Sequence, residues 1–432
     1  MKRAFTIQLH KWKAQKDRKP LLLKGVRQSG KTYLLKEFGK QAYNDIAYFN
    51  FEGNETLQKC FERDLDPERI IVELGMLHRR AIKPGETLLV FDEIQFCNRA
   101  LTALKYFYEN APHFHIACAG SLLGVALAKP LSFPVGKVDL RVLRPMSFYE
   151  FALASGEEAM LSFLAALGRE KPVPEAFAGR LTDLLTAYYI VGGMPEAVAK
   201  WLETRDVAEV EVVQRRILDS YELDFAKHAP VSDIPKLNLI WKSIPSQLAR
   251  ESGKFVFGHA KHGARAKDLE DALEWLISAG LVYKVVKIEK PFIPLSSYAD
   301  QSYFKLYVPD VGLLRKMAGL PATAVKAGVE TYREFKGALA ENFALTELLN
   351  ADFDQPFYWR SANTAEVDFV AQHNGRIVPI EVKAGRNRAR SLAEYRKKYA
   401  PDISVKTSIE NISGKEVKNV PLYMLWRLKD YI

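Results

Sequence analysis

The sequence predicts an α/β protein of several domains, on three observations. Its 432 residues exceed the about 100–200 that one hydrophobic core usually serves. Through the first third, short and fully apolar runs alternate with stretches of helical periodicity, the pattern of a parallel sheet covered on both faces. After that the periodicity is mostly helical, and strand-like runs gather again near the C-terminus.

In order, LLLKG reads as a strand, KTYLLKEFGKQA as a helix, IAYFNFE as a strand and IIVELGMLHRRA as a helix. The strand LLVFDEI, the helix NRALTALKYFYENA and the strand HIACAGS complete a first segment, residues 1–150. Residues 151–233 are helical, since EFALASGEEAMLSFLAALG and AGRLTDLLTAYYIVGG place apolar residues at helical spacing. In VGGMPEAV the paired glycines predict a helix stop and the proline the start of the next helix. Residues 234–330 run from the helical IPKLNLIWKSIPSQLAR through a β-prone KFVFGH into the helical RAKDLEDALEWLISAGL and then VYKVVKI, and helices followed by a strand pair resemble a winged helix. Residues 331–432 are mixed: a helix in GALAENFALTELL, strands in FYWRS, EVDFVAQ and RIVPIEVK, then a basic helix.

Composition narrows the function classes. Hydrophobic residues are 48% and charged residues 26% of the chain, the balance of a folded globular protein. The net charge of +10 is concentrated in KWKAQKDRK and GRNRARSLAEYRKK, which suits a polyanionic partner such as DNA and equally a solvated basic face. Cys60, Cys97 and Cys118 lack the paired spacing of a disulfide framework or zinc site, so a reducing cytoplasm is the expected compartment and Cys118 an inert buried thiol. No apolar run reaches the about 18 residues of a membrane span, and no membrane association is expected.

The strongest motif is GVRQSGKT, Gly25 to Thr32, which fits GxxxxGK[ST] and lies between a strand and a helix. Gly25 and Gly30 let the backbone turn tightly. The loop Gly25, Val26, Arg27, Gln28, Ser29, Gly30, Lys31, Thr32 can then aim N–H groups at phosphate oxygens, assisted by the helix N-terminus. Lys31 is expected to reach the β- and γ-phosphates of ATP and Thr32 to ligate Mg²⁺. LLVFDEIQ ends an apolar strand in Asp92, a second Mg²⁺ ligand, and Glu93, which would polarise the attacking water. Ser121 ends the following strand, where it would contact the γ-phosphate or simply close a turn.

These motifs, together with CAGSLL, LRPMSFYEF, YYIVGGMPEAV, FKLYVPDVGLL, YWRSANTAEVDF and VPIEVKAG, resemble the prokaryotic AAA-type ATPases that carry a C-terminal domain of unknown function. The resemblance spans nearly the whole chain and implies binding and hydrolysis of ATP. It carries Gly25, Gly30, Lys31 and Thr32 onto the phosphate loop and Asp92 and Glu93 onto the acidic pair. VGKVDLR departs from it, with Lys137 where the family has arginine. A lysine lacks the planar fork of an arginine finger, and Arg141 and Arg144 are nearby substitutes. AAA-type modules often form rings, so a homo-oligomer is compatible.

A second carboxylate cluster lies in AEVDFVAQHNGRIVPIEVKAG. Asp368 sits on one strand, and Glu381 and Lys383 sit two apart on the next, hence on one face, with a hairpin turn at HNGR. This D…ExK order resembles the PD-(D/E)XK, restriction-endonuclease-like fold. Read that way, Asp368, Glu381 and Glu341 of the preceding helix ligate Mg²⁺, Glu366 is an extra ligand, and Lys383 orients the attacking water. The competing reading is an edge hairpin whose charges pair with one another. Arg360, Arg376, Arg386, Arg388 and Arg390 are close in sequence and suit a DNA backbone.

The expected architecture is therefore a P-loop NTPase parallel sheet with helices on both faces, then a helical and winged-helix region, then a mixed α/β restriction-endonuclease-like domain. The leading functional expectation is an ATPase coupled through its C-terminal module to nucleic acid or a protein partner. The alternatives are an ATP-regulated, Mg²⁺-dependent DNA nuclease and a nucleotide-dependent switch that binds DNA or protein and cuts nothing.

Overall fold

The protein is described from a computed structural model covering residues 1–121, 136–250, 252–327, 333–361, 365–385 and 389–432. Two compact units result: Met1–Arg144 with Ser278–Gly280, and Pro145–Ile277 with Leu281–Ile432.

In the first unit, strands β1 (Leu21–Gly25), β2 (Asp45–Asn50), β3 (Thr87–Asp92), β4 (His115–Ser121) and β5 (Asp139–Val142) form one sheet in the order β2-β3-β4-β1-β5. Every pairing in it is parallel. Apolar runs become strands here because both sheet faces are buried, so successive residues feed opposite cores. Leu22, Leu89, Phe91, Ile116 and Cys118 enter one core with Phe49, Phe51, Leu101 and Phe107. Leu21, Leu23, Leu88, Val90, Ala117 and Ala119 enter the other, beneath Leu34, Leu35 and Phe38 of the helix Lys31–Ala42. Cys118 is fully buried as expected, and burial pushes its thiol well above the ordinary range.

The second unit combines helices, among them Glu175–Val191, Pro195–Thr204, Val207–His228, Ile234–Leu248 and Ala266–Ser278, with a seven-stranded mixed sheet. Its strands are β6 (Tyr283–Ile288), β7 (Ala299–Tyr307), β8 (Phe357–Arg360), β9 (Glu366–His373), β10 (Arg376–Val382), β11 (Val405–Ser408) and β12 (Lys418–Pro421), in the order β12-β11-β10-β9-β8-β6-β7. The strand pair read as a wing does not stand free. β6 pairs antiparallel with β7 on one side and parallel with β8 on the other, so the pair extends the C-terminal sheet. The β9–β10 hairpin turns on Asn374 and Gly375, both at positive φ (47° and 75°), the two-residue turn that Asn-Gly favours.

VGGMPEAV breaks the helices where expected: Gly192, at φ 77°, follows Val191, and Pro195 opens the next helix. The reason for two glycines is close backbone approach. A Cβ on Gly193 would lie 2.0 Å from the Met146 carbonyl oxygen. The buried Asp310 carboxylate accepts from the N–H groups of Gly193 (2.5 Å) and Leu313 (2.8 Å). PMSF, VGGMPEAV and VPDVGLL thus meet as one packing node of the second unit. No helix among the described residues is long and apolar enough to cross a membrane.

Candidate functional site

β1 delivers the chain to the loop at the carboxyl edge of the parallel sheet, the edge at which open α/β sheets bind ligands. Gln28 (φ 64°) and Gly30 (φ 88°) take left-handed conformations, so the loop curls before the helix Lys31–Ala42 begins. No side chain caps that helix, which leaves its first N–H groups to the loop interior. Gly25 is required for a different reason: a Cβ there would lie 2.3 Å from the Leu143 carbonyl oxygen.

Lys31 folds back over its own loop and donates to the carbonyls of Gly25 (3.1 Å) and Val26 (3.0 Å). Burial lowers its ammonium to about 8, against the opposing pull of Glu93 and Asp92. Thr32 Oγ1 lies 2.9 and 3.1 Å from the two oxygens of the Asp92 carboxylate. Thus the loop and the acidic strand end meet, although β4 separates β1 from β3 in the sheet. The hydroxyl and the carboxylate are hard oxygen donors of the kind Mg²⁺ takes, so these two residues fit that ion. Glu93 sits in a left-handed conformation (φ 50°), and its carboxylate accepts from Gln95 Nε2. Ser121 ends β4 in register with Gly25 of the loop.

Three further side chains belong to this site and carry no sequence signature. Tyr48, on β2, donates to Asp92 Oδ2 at 2.7 Å. Gln95 holds Glu93 as described. Arg3, only 8% exposed, donates to the carbonyls of Ser29 in the loop (3.0 Å) and of Arg144 (2.8 Å). Among the finger candidates, Lys137 is engaged with Glu109 at 3.0 Å.

The C-terminal carboxylates are also brought together, around a residue the motif did not include. Lys305, on β7 and 1% exposed, lies 2.6 Å from Glu366 Oε1 and 3.1 Å from Glu341 Oε2. Tyr307 donates to that same Glu341 oxygen at 2.9 Å. Lys383 pairs with Glu381 Oε1 at 2.7 Å, as their shared strand face requires, and the Leu392 N–H donates to Glu381 Oε2 at 2.8 Å. Asp368 Oδ2 accepts from the Val382 N–H at 2.7 Å. Burial works against the Lys305 charge, but Glu341, Glu366 and Asp368 outweigh it and hold the ammonium well above its ordinary range. Burial, then the neighbouring Glu341, pushes the Asp368 carboxyl well up. Among the described residues no three His, Cys, Asp or Glu side chains are arranged to hold a metal ion. Arg386 and Arg388 lie outside the described residues.

Residues 17–152 match the family described as an AAA domain. This segment is similar to AAA domains. Its bounds enclose the phosphate loop, Asp92 and Glu93. Residues 182–324 and 336–425 match two families described as domains of unknown function, DUF8612 and DUF4143. No curated protein matches the chain. Among solved structures, the Walker-type ATPase PABY2304 of Pyrococcus abyssi is similar at 16% identity and a TM-score of 0.45, over 72% of this chain and 94% of that one. The ORC1 protein of Aeropyrum pernix, solved with DNA, is similar at 14% identity and a TM-score of 0.31, over 75% and 94%. The RuvB Holliday junction branch migration motor of Thermotoga maritima gives 13% identity and a TM-score of 0.27, over 65% and 84%. With TM-scores this low, the likeness to AAA domains rests on the family match over residues 17–152.

Proposed function

We propose that this protein hydrolyses ATP with Mg²⁺ at the phosphate loop of its AAA-type domain and couples nucleotide turnover to DNA or a partner bound by its second unit. The observation that carries the reading is the meeting of Thr32 with Asp92 beside a loop whose lysine is buried on loop carbonyls. ATP offers Lys31 anionic oxygens in place of those carbonyls. The exchange moves Nζ from Gly25 and Val26 onto the β- and γ-phosphates, while loop N–H groups receive the phosphate oxygens. Thr32 and Asp92 would hold Mg²⁺, whose charge would neutralise the phosphate oxygens when bound. Glu93 orients a water, whose oxygen bonds to the γ-phosphorus. The bond from that phosphorus to the β–γ bridging oxygen breaks, ADP and phosphate leave, and the water's proton passes to the Glu93 carboxylate. Ser121, in register with Gly25 on the neighbouring strand, would contact the γ-phosphate.

The second half of the reading rests on charge. The helix Arg390–Tyr399 presents Arg390, Lys397 and Lys398 to solvent in a chain of net charge +10, and such a surface suits the DNA backbone. The test is steady-state ATP hydrolysis by wild type and Lys31→Ala, each with and without duplex DNA at rising salt. Removing one preorganised charge from phosphoryl transfer costs about 100-fold or more in kcat. A Lys31→Ala protein turning over ATP at the wild-type rate would refute the catalytic reading. Absence of DNA binding even at low salt would leave a protein as the partner.

A further inference from the structure

The D…ExK order predicts a divalent metal shared by Glu341, Asp368 and Glu381, but the contacts these side chains make do not suit one. A ligating carboxylate turns lone pairs toward the ion, and here each of the three already accepts from a protein donor. Glu341 Oε2 receives both Lys305 Nζ and the Tyr307 hydroxyl, at 3.1 and 2.9 Å. Both Glu381 oxygens are taken, one by Lys383 and one by the Leu392 N–H. Asp368 Oδ2 is bound to the Val382 N–H. Glu366, the extra ligand of the motif reading, is paired with Lys305 at 2.6 Å.

We infer that the Lys305 ammonium is the resident cation of this cluster, holding the place among Glu341, Glu366 and Asp368 that a divalent ion would need, and that the second unit does not cut nucleic acid. Three features support the assignment. The side chain is 1% exposed, so its charge has no water to return to. It joins the helix Arg333–Asn350, through Glu341, to β9, through Glu366, across from its own strand β7. Gly253 roofs it: a Cβ there would lie 3.2 Å from Lys305 Cε and 3.4 Å from Nζ, so the chain packs directly over the ammonium. A divalent ion entering this group would meet a buried like charge at bonding distance from two of its ligands, and Lys305 would have to leave a sealed position first.

The role differs from that of Lys383, which sits at the rim, 26% exposed. Lys383 belongs to the motif as an activating lysine; Lys305 neutralises the carboxylates that the motif reserves for metal. The unit then keeps its fold and its basic surface for binding, which agrees with a coupling module and disagrees with a nuclease.

The test needs neither ATP nor catalysis. Mn²⁺ binding to the full-length protein is followed by electron paramagnetic resonance, without nucleotide, for wild type, Asp368→Asn, Lys305→Gln and the double variant. Wild type and Asp368→Asn should bind the same number of Mn²⁺ ions, any weak binding at Asp92 being common to both. Lys305→Gln, which removes the charge and is one atom shorter, should gain one site at least tenfold tighter than any in wild type, and the double variant should lose it. A wild-type site that disappears in Asp368→Asn would overturn the inference, and so would Mn²⁺-dependent plasmid nicking abolished by that substitution. A folded Lys305→Gln protein that gains no site would overturn it as well. Should Lys305→Gln fail to fold, the comparison of wild type with Asp368→Asn still decides.

Discussion

Because Lys31 is buried against its own loop, pH alone is a perturbation of the proposed ATP site. Burial lowers its ammonium to about 8, whereas the ordinary lysine value is 10.5. The proposed complex needs the charged form, since the ammonium then faces phosphate oxygens. Above pH 8 binding must therefore take up a proton, and the apparent Kd rises by a factor of 1 + 10^(pH − 8). That factor is about 1.1 at pH 7 and about 11 at pH 9, a tenfold loss of affinity worth about 1.4 kcal/mol. The terminal phosphate, with its last ionisation near about 6, does not change over this interval. Isothermal titration in two buffers of different ionisation enthalpy measures both the Kd and the proton count. Lys31→Arg, whose guanidinium stays charged throughout, should show no such dependence. The stability of the free protein moves the other way. Between about 8 and 10.5 the unfolded chain binds the Lys31 proton more tightly than the folded one, so folding gains stability as pH rises through that window. An ATP Kd equal at pH 7 and pH 9 for wild type would refute the placement of a buried, phosphate-seeking ammonium.

Arg3→Ala removes a buried guanidinium that donates to the Ser29 and Arg144 carbonyls. At about 1.5 kcal/mol for each charged hydrogen bond, the loss is about 3 kcal/mol. A thermal melt should fall by about 6–12 °C, with weakened ATP binding because the loop loses its brace; unchanged binding would limit Arg3 to stability. Gly193→Ala puts a Cβ 2.0 Å from the Met146 carbonyl oxygen and 2.8 Å from the Tyr188 hydroxyl. Denaturant unfolding should show a loss of about 3 kcal/mol, whereas Gly179→Ala, in an exposed helix position with nothing within 4 Å, should gain about 0.5–1 kcal/mol.

The first unit was legible because its signals are local. Strands buried on both faces read as unbroken apolar runs, and the loop glycines answer constraints that sequence spacing expresses directly. Partners brought in by topology were not legible. Tyr48 reaches Asp92 because β2 lies beside β3, and Arg3 reaches Arg144 across most of the first unit. The sheet partner of that strand pair was hidden for the same reason: Lys287 pairs with Tyr358, and nothing near either residue announces the partner. In the second cluster the period of the strand placed Glu381 and Lys383 on one face, and the Asn-Gly turn gave the hairpin. Lys305 was hidden because FKLYVPDVGLL reads as an ordinary strand entering a helix, with one lysine flanked by apolar residues. In the sheet two strands lie between β7 and β9, so the meeting of Lys305 with Glu366 and with Glu341 of the helix is a tertiary contact that no neighbouring residue announces.

The two carboxylate groups of this chain invite opposite chemistry although both contain acidic residues at strand ends. Asp92 is held by the hydroxyls of Thr32 and Tyr48 and by a backbone N–H. A hydroxyl is donor and acceptor together, so Thr32 can turn its oxygen toward a cation and remain satisfied beside Asp92. Admitting Mg²⁺ there leaves no charge stranded. Glu341 and Glu366 are held instead by an ammonium, which has donors only and no exposed position to occupy. Admitting a second cation there strands a buried positive charge, the costliest defect a protein interior can hold. What separates a metal-ready acidic site from one already neutralised is therefore the identity of its donors, and on that criterion the proposed ion suits Asp92 while Glu341 already holds a lysine.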